Sequence, residues 1–281
     1  NIEAFNSPTS IHYHYFNFTS IHKYYYPFLA GMMAQQFIQH PFRVETTDHC
    51  ETPSTAYSDI APILEKLALL MGKTKETLKV YDPYFCAGGV KKHMNDLGFP
   101  NVYNECQDFY KIIETKSYPE FDVLLTNPPY STKPFDHIER LMHFCQEQRK
   151  PYLILQPCYV YVKDYYKAHC IPLGDSPSVG EFYVTPSERY MYRTPTGLRD
   201  VKAGALSTSP FVTFWFCGAW AYRDALVKWW CEDGKSHSTQ CRLRLTTNKL
   251  PRKFKDSNDP SRPRLRKKQR EALKRRQTKA S

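Results

Sequence analysis

One short segment carries residue types that suit ligand chemistry at the end of a strand. Asn127-Pro128-Pro129-Tyr130 directly follows the apolar, β-branched run at residues 121–126, which is typical of a strand buried on both faces. One interpretation is an Asn-Pro turn that only closes the strand. The other is a binding loop, because ligands of open α/β sheets bind beyond the carboxyl ends of the strands.

A second segment, residues 80–89, joins a strand pattern to a helix pattern and contains Gly88 and Gly89. Glycine in such a turn lets the backbone approach a ligand closely, although turns of this kind have many uses. The two segments need a framework of strands and helices to hold them. Short apolar runs predict strands, and apolar residues at helical spacing predict helices. The predicted strands are residues 78–81, 101–104, 121–126, 152–155, 182–185 and 211–217, and the predicted helices are residues 60–71, 90–97, 108–115 and 138–145.

Strands that alternate with helices indicate βαβ units and hence an α/β fold. Within this pattern the Asn-Pro-Pro-Tyr segment resembles the signature of class I S-adenosylmethionine-dependent methyltransferases that act on nitrogen, and the chain resembles a poorly characterised eukaryotic group of them. The resemblance covers about residues 48–217. It implies a Rossmann-like fold, a mostly parallel seven-stranded sheet with helices on both faces, and S-adenosyl-L-methionine as the cofactor.

The resemblance also implies catalytic roles for Asn127, Pro128, Pro129 and Tyr130. The Asn127 side-chain oxygen and the Pro128 carbonyl would accept hydrogen bonds from a target NH2, and Tyr130 would stack on the planar target. The two prolines stiffen the loop and fix the direction of the exposed carbonyl. An amine conjugated to a ring is a poor nucleophile, so two acceptors that turn its lone pair towards the methyl group supply most of what the transfer needs.

The turn at residues 80–89 resembles the cofactor loop of the same family, which usually reads Asp-Pro-x-x-Gly-x-Gly. Here Cys86 occupies the first glycine position, where its Cβ would narrow the cleft, and Gly88 keeps the second. The residues that the resemblance assigns to cofactor binding in this loop are Asp82, Pro83, Tyr84, Cys86 and Gly88.

Further cofactor contacts are implied downstream of this loop and just before it. The family places an acidic residue after the second strand for the ribose hydroxyls, which here is Asn104 or Glu105, and we predict Glu105. It also places a pair such as Asp108-Phe109 at the turn after the third strand, near the adenine amine. A helix cap or a solvated acid is the alternative for each acid. Residues 48–53 resemble the lead-in segment that closes over the cofactor, or simply begin a helix.

The composition bounds the class of protein. The chain is 41% hydrophobic and 15% aromatic, so it can form a core, and no apolar run is long enough to span a membrane. Its nine cysteines contain no CxxC pair, which indicates reduced thiols in an intracellular protein and predicts no metal site.

The net charge of +11 is confined to one end of the chain. Residues 249–281 contain fourteen Lys or Arg and three acidic residues, whereas the remainder has 25 of each sign. We therefore predict an aromatic-rich arm at residues 1–47, a methyltransferase domain at residues 48–235 and a basic tail at residues 236–281. Such a tail binds phosphate or serves as a nuclear address, unless it is only a solvated disordered segment.

Taken together, these features predict an RNA N-methyltransferase that acts on ribosomal or other structured RNA, with phosphate contacts through residues 249–281 and a role in ribosome biogenesis. Residues 188–199, with interleaved Arg and Tyr, either contact the substrate or pack as an ordinary loop. Two other functions stay open: a protein Lys or Gln N-methyltransferase, and a catalytically degenerate scaffold on a ribonucleoprotein. The expected compartment is the nucleus or nucleolus, with the mitochondrion or another organelle as the alternative.

Overall fold

A computed structural model describes residues 40–42, 50–132, 134–170, 180–193, 206–232, 241–245 and 250. Its helices are α1 Ser54–Leu70, α2 Gly89–Asp96, α3 Phe109–Thr115, α4 His137–Gln148, α5 Asp164–Cys170 and α6 Arg223–Glu232. Its strands are β1 Val80–Tyr81, β2 Val102–Tyr103, β3 Val123–Thr126, β4 Tyr152–Pro157, β5 Phe182–Pro186, β6 Met191–Arg193, β7 Leu206–Thr208, β8 Thr213–Gly218 and β9 Cys241–Arg244. Each strand and helix predicted between residues 60 and 217 is confirmed, with ends that shift by a few residues.

Seven strands form one mixed sheet in the order β2-β1-β3-β4-β8-β5-β9, and β6 pairs with β7 in a separate hairpin. The neighbours β2, β1, β3 and β4 are parallel, whereas β8 is antiparallel to both β4 and β5, and β9 is antiparallel to β5. The predicted mostly parallel pairing therefore holds for only half of the sheet. Parallel neighbours need a crossover connection, whereas the chain passes from β5 to β8 through the β6–β7 hairpin.

Helices cover both faces of the sheet, as predicted, because alternate residues of each central strand point to opposite faces. On one face Val123 and Leu125 pack in a cluster with α1, α2 and α6. On the other face Leu124 packs in a second cluster with α3, α4 and α5. Strand β3 is thus buried on both sides, which accounts for its uninterrupted apolar sequence.

The sheet extends beyond the predicted end of the central domain at residue 235. Strand β9, Cys241–Arg244, pairs with β5, and Leu250 is buried in the second cluster. The folded part thus includes part of the segment predicted as the tail. Most of the predicted arm, and residues 251–281, lie outside the described residues. Among the helices that the structure describes, none has the length and hydropathy that a bilayer crossing requires.

A buried polar cluster lies at the amino end of β4, at the opposite edge of the sheet from the carboxyl ends of the parallel strands. The Tyr152 hydroxyl is hydrogen-bonded to Glu181 and lies 2.8 Å from His169 Nε2. Burial raises the pKa of Glu181 to about 8 and lowers the pKa of His169 to about 4. The cluster is therefore uncharged near pH 7, which is the arrangement that low-dielectric surroundings favour.

Candidate functional site

A cleft lies where the chain direction across the sheet reverses. From β1 the chain crosses through α2 to β2 on one side, and then through α3 to β3 on the other side of β1. Ligands of open α/β sheets bind at such a point, outside the carboxyl ends of the strands. The cleft has about 330 Å³ of empty space, counting the part open to solvent, and is lined by Cys50, Glu51, Thr52, Tyr57, Asp82, Tyr84, Cys86, Gly88, Gly89, Val90, Asn104 and Asn127.

Asp82 follows β1 and lies at the base of the cleft, only 5% exposed. Its Oδ1 accepts hydrogen bonds from the Thr126 hydroxyl at 2.5 Å and from the Tyr84 N–H at 3.2 Å. Burial raises the pKa of Asp82 to about 7, although both hydrogen bonds oppose the rise. Thr126 thus couples the ends of β1 and β3, a role that sequence reasoning missed. The only available signal was a polar residue at the end of an otherwise apolar strand.

The glycine turn has the backbone that its sequence requires. Gly88 has a φ of +81° and precedes α2, and a Cβ there would lie 3.1 Å from the Phe85 ring. Gly89 begins α2, and its N–H donates to Glu51 Oε1 at 3.2 Å. The Cys86 side chain is half-buried against the cleft, and burial raises the pKa of its thiol. The thiol therefore stays protonated and contributes volume, not charge.

Of the two residues considered after β2, the structure brings Asn104 into the cleft and leaves Glu105 outside it. Glu105 is exposed and forms an ion pair with Lys91 at 2.6 Å. Asn104 is 1% exposed, and its Nδ2 donates to the carbonyl oxygens of Asp82 at 3.1 Å and Tyr84 at 3.4 Å. Its Oδ1 is buried without a hydrogen-bond partner, so an acceptor remains at the wall of the cleft.

The other predicted cofactor residues have structural roles, and among them only Tyr84 also lines the cleft. The Asp108 side chain caps α3 by accepting hydrogen bonds from the N–H groups of Tyr110 and Lys111. Phe109 is buried in the second cluster. Neither lines the cleft, and no third strand precedes them, since residues 104–122 are fully described and contain no strand before β3. Pro83 is buried, and the Tyr84 hydroxyl lies 3.0 Å from that of Tyr110.

Asn127 lines the cleft, and hydrogen bonds within and beside its loop orient its side-chain amide. Asn127 Oδ1 accepts a hydrogen bond from the Tyr130 hydroxyl at 2.6 Å, and Asn127 Nδ2 donates to the Cys50 carbonyl at 3.5 Å. The same hydroxyl lies 3.2 Å from the Leu155 carbonyl oxygen. Tyr130 therefore fixes which way the amide faces, and its ring packs against the second cluster. Pro128 is buried and Pro129 half-buried, so the turn is anchored as well as stiff.

A short strap, residues 50–52, lines the cleft and is hydrogen-bonded to β6. The Glu51 N–H donates to the Arg193 carbonyl at 2.7 Å, and the Arg193 N–H returns a bond to the Glu51 carbonyl at 3.3 Å. Thr52 is buried next in the chain and lines the cleft beside Tyr57. The described part of the lead-in segment, residues 50–53, thus borders the cleft and continues into α1, and its closing over a cofactor stays a prediction.

The two tyrosines of residues 188–193 pack within the protein. The Tyr190 hydroxyl donates to Asp59 at 2.6 Å, the Tyr192 hydroxyl lies 2.7 Å from Thr213 Oγ1, and both rings are buried. The Arg189 guanidinium donates to the Ser209 carbonyl. Packing is thus the better interpretation for these tyrosines, whereas the predicted substrate segment beyond residue 193 lies outside the described residues.

The charged residues that line the cleft are all acidic. Of its twelve described lining residues two are acidic, Glu51 and Asp82, and none is Lys, Arg or His. Nearby carboxylates contribute to the raised pKa of the Tyr57 hydroxyl, after burial itself. The cleft therefore suits a ligand that brings positive charge and hydrogen-bond donors.

Comparison of the chain with protein-family models, with curated proteins and with solved structures finds no match.

Proposed function

We propose that the chain is an S-adenosylmethionine-dependent N-methyltransferase with a Rossmann-like fold, and that this cleft is its cofactor site. The observation that carries the proposal is the cleft at the reversal of the sheet, which Asn127 lines and in which both charged lining residues are acidic. The parallel strands β2-β1-β3-β4 have the arrangement of a doubly wound sheet around its ligand crevice. The antiparallel strands β8 and β9 are additions to that plan.

The charge of the cleft favours this cofactor over the phosphate-bearing ligands of similar sheets. Nucleotides and dinucleotides place anionic phosphates at a helix N-terminus that follows the first strand. Here the Glu51 carboxylate already lies at the start of α2, and Asp82 is a second acidic residue in the same cleft. S-Adenosylmethionine carries a sulfonium and an ammonium against one carboxylate, so its net charge is positive and complementary.

The residues of the cleft also provide partners for such a ligand. The unpartnered Asn104 Oδ1 is an acceptor for a hydroxyl or amine donor, and Gly88 and Gly89 line the same cleft. When bound, the cofactor supplies an electrophilic methyl group on a good leaving group. Asp82 and Glu51 would lie around it as fixed acceptors, and the strap at residues 50–52 would limit the access of water.

The Asn127 loop is suited to hold the amine that receives the methyl group. The Asn127 oxygen has one lone pair engaged by Tyr130 and a second available, and the Pro128 carbonyl provides another acceptor. Two acceptors on an NH2 group direct the nitrogen lone pair away from themselves. The loop thus acts by alignment, and no strong base is required at this position.

The basic tail makes RNA our proposed substrate. The fourteen Lys or Arg residues within positions 249–281 would neutralise phosphates and give salt-dependent affinity that does not depend on sequence. The target base must be unpaired or flipped out to reach Asn127. We expect a nuclear or nucleolar role on ribosomal RNA or a comparable structured transcript.

The test is incubation with methyl-labelled S-adenosylmethionine and separated RNA and protein fractions, using the full chain and a chain that lacks residues 249–281. Label in RNA, reduced by the deletion, is the expected result. Label in protein that survives the deletion would instead indicate a protein Lys or Gln methyltransferase. Absence of label from both fractions, with RNA binding intact, would indicate a scaffold.

Tyr130→Phe should lower the methyl-transfer kcat roughly tenfold, because a hydrogen bond worth about 1.4 kcal/mol no longer orients the Asn127 oxygen. Tyr103→Phe, at an exposed hydroxyl, is the matched control and should leave kcat unchanged. Steady-state kinetics with saturating cofactor provide the measurement. If Tyr130 acts only by ring stacking, Tyr130→Phe will retain full kcat and only Tyr130→Ala will lose it.

A further inference from the structure

We infer that Glu51 determines which ligands the cleft accepts: its carboxylate closes the start of α2 to anions and holds the ammonium group of the ligand. This inference rests on the proposed function, which it makes more specific. It concerns a residue on the strap, outside both the glycine turn and the Asn127 loop. An amino-acid-bearing nucleoside would then be selected over a phosphorylated one.

The first observation is the contact between Glu51 and Gly89. The Gly89 N–H donates to Glu51 Oε1 at 3.2 Å, and a Cβ on Gly89 would lie 2.9 Å from Oε2. The carboxylate therefore packs directly against the first residue of α2, the position at which a helix attracts an anion. A ligand phosphate at this position would meet the Glu51 charge, so the protein itself occupies its anion site.

The second observation is that backbone contacts hold Glu51 in place. Both backbone hydrogen bonds with Arg193, at 2.7 and 3.3 Å, fix the strap on β6. The preceding carbonyl, that of Cys50, accepts from the Asn127 amide at 3.5 Å. Glu51 is thus a preorganised group, which keeps the entropic cost of binding low.

The third observation is the shortage of hydrogen-bond donors for the acceptors of the cleft. Among the residues that the structure describes, the Gly89 N–H donates to Glu51 Oε1, and Glu51 Oε2 lacks a hydrogen-bond donor. The Asn104 Oδ1 atom, in a side chain that is 1% exposed, also lacks one. A ligand that brings several donors and a positive charge satisfies such a site, and an ammonium group with three N–H bonds does so best.

The experiment is a calorimetric comparison of S-adenosylhomocysteine with its analogue in which hydrogen replaces the α-amino group, on the full chain. Wild type should bind the parent compound at least about tenfold more tightly, whereas Glu51→Gln should bind the two within about threefold of each other. Glu51→Gln should also bind ADP more tightly than wild type does. Glu114→Gln, an exposed acid on α3, is the control and should behave as wild type.

Equal loss of affinity for both compounds in Glu51→Gln would overturn the inference while leaving the proposed function intact. Failure of wild type to bind either compound would overturn the proposed function and this inference together. Thermal unfolding of each variant checks the fold, and Glu51→Asp, which keeps the charge on a shorter side chain, should retain part of the preference for the amino group. Loss of that preference in Glu51→Asp with full retention in Glu51→Gln would contradict a role for the charge.

Discussion

Replacing Asn127 by alanine is expected to lower methyl transfer at least about a hundredfold, equivalent to about 2.7 kcal/mol of lost alignment. The variant loses the side-chain oxygen that Tyr130 orients, but it removes no core packing, because Asn127 is only half-buried. Affinity for S-adenosylmethionine should stay within about threefold of wild type, since the two backbone hydrogen bonds between Glu51 and Arg193 still hold the strap. Single-turnover kinetics separate the two effects.

Asn95→Ala is the matched control, because Asn95 is exposed on α2 and does not line the cleft. It should transfer methyl groups at the wild-type rate. Near-normal turnover in Asn127→Ala, with cofactor binding preserved, would exclude the assigned role. A large loss of cofactor affinity instead would place Asn127 among the cofactor contacts.

The free energy of unfolding should fall by about 2 kcal/mol as the pH rises from about 6.5 to about 8. The pKa of Glu181 is raised to about 8 and that of Asp82 to about 7, both by burial. In this range both carboxyls keep a proton in the folded protein that they have already released in the unfolded chain. The stability that these bound protons contribute is therefore lost as the pH rises through the folded-state pKa values. His169, whose pKa is lowered to about 4, is neutral in the folded protein, whereas the unfolded imidazole still loses protons just above pH 6.5; this opposes the fall by less than about 0.5 kcal/mol.

Urea unfolding at a series of pH values measures this slope. Glu181→Gln, which imitates the protonated acid beside Tyr152, should retain less than half of the pH dependence. Glu147→Gln, at an exposed site on α4, should retain all of it. A stability that rises between pH 6.5 and 8 in wild type would contradict the raised pKa values of Asp82 and Glu181.

The elements of the parallel half of the sheet could be predicted from the sequence because their signals are local. Residues 121–126 form an apolar run long enough for a strand and too short for a helix, and strand β3 is found there. The polar residues that follow β1 and β3 could likewise be placed at one edge of the sheet, because parallel strands end together. The cleft accordingly contains Asp82, Gly88 and Asn127.

The rest depends on contacts between distant segments, which the spacing of residues does not encode. Strand β9 has only four residues, and its pairing with β5 is not visible in its own sequence. Which of the adjacent residues Asn104 and Glu105 enters the cleft depends on how the chain is oriented after β2. The Glu105 carboxylate pairs with Lys91 at the surface, and the Asn104 amide lies in the cleft. The contact of Glu51 with Gly89 joins residues 38 positions apart.

Titration calorimetry of the full chain with S-adenosylmethionine tests the central claim most directly. We predict saturable binding to one site per chain, competed by S-adenosylhomocysteine and weakened by Gly88→Val, because a side chain at a φ of +81° strains the turn and its Cβ would press on Phe85. No measurable binding by a folded protein that still binds RNA would contradict the claim, and the Asn127 loop would then have no methyl donor to serve.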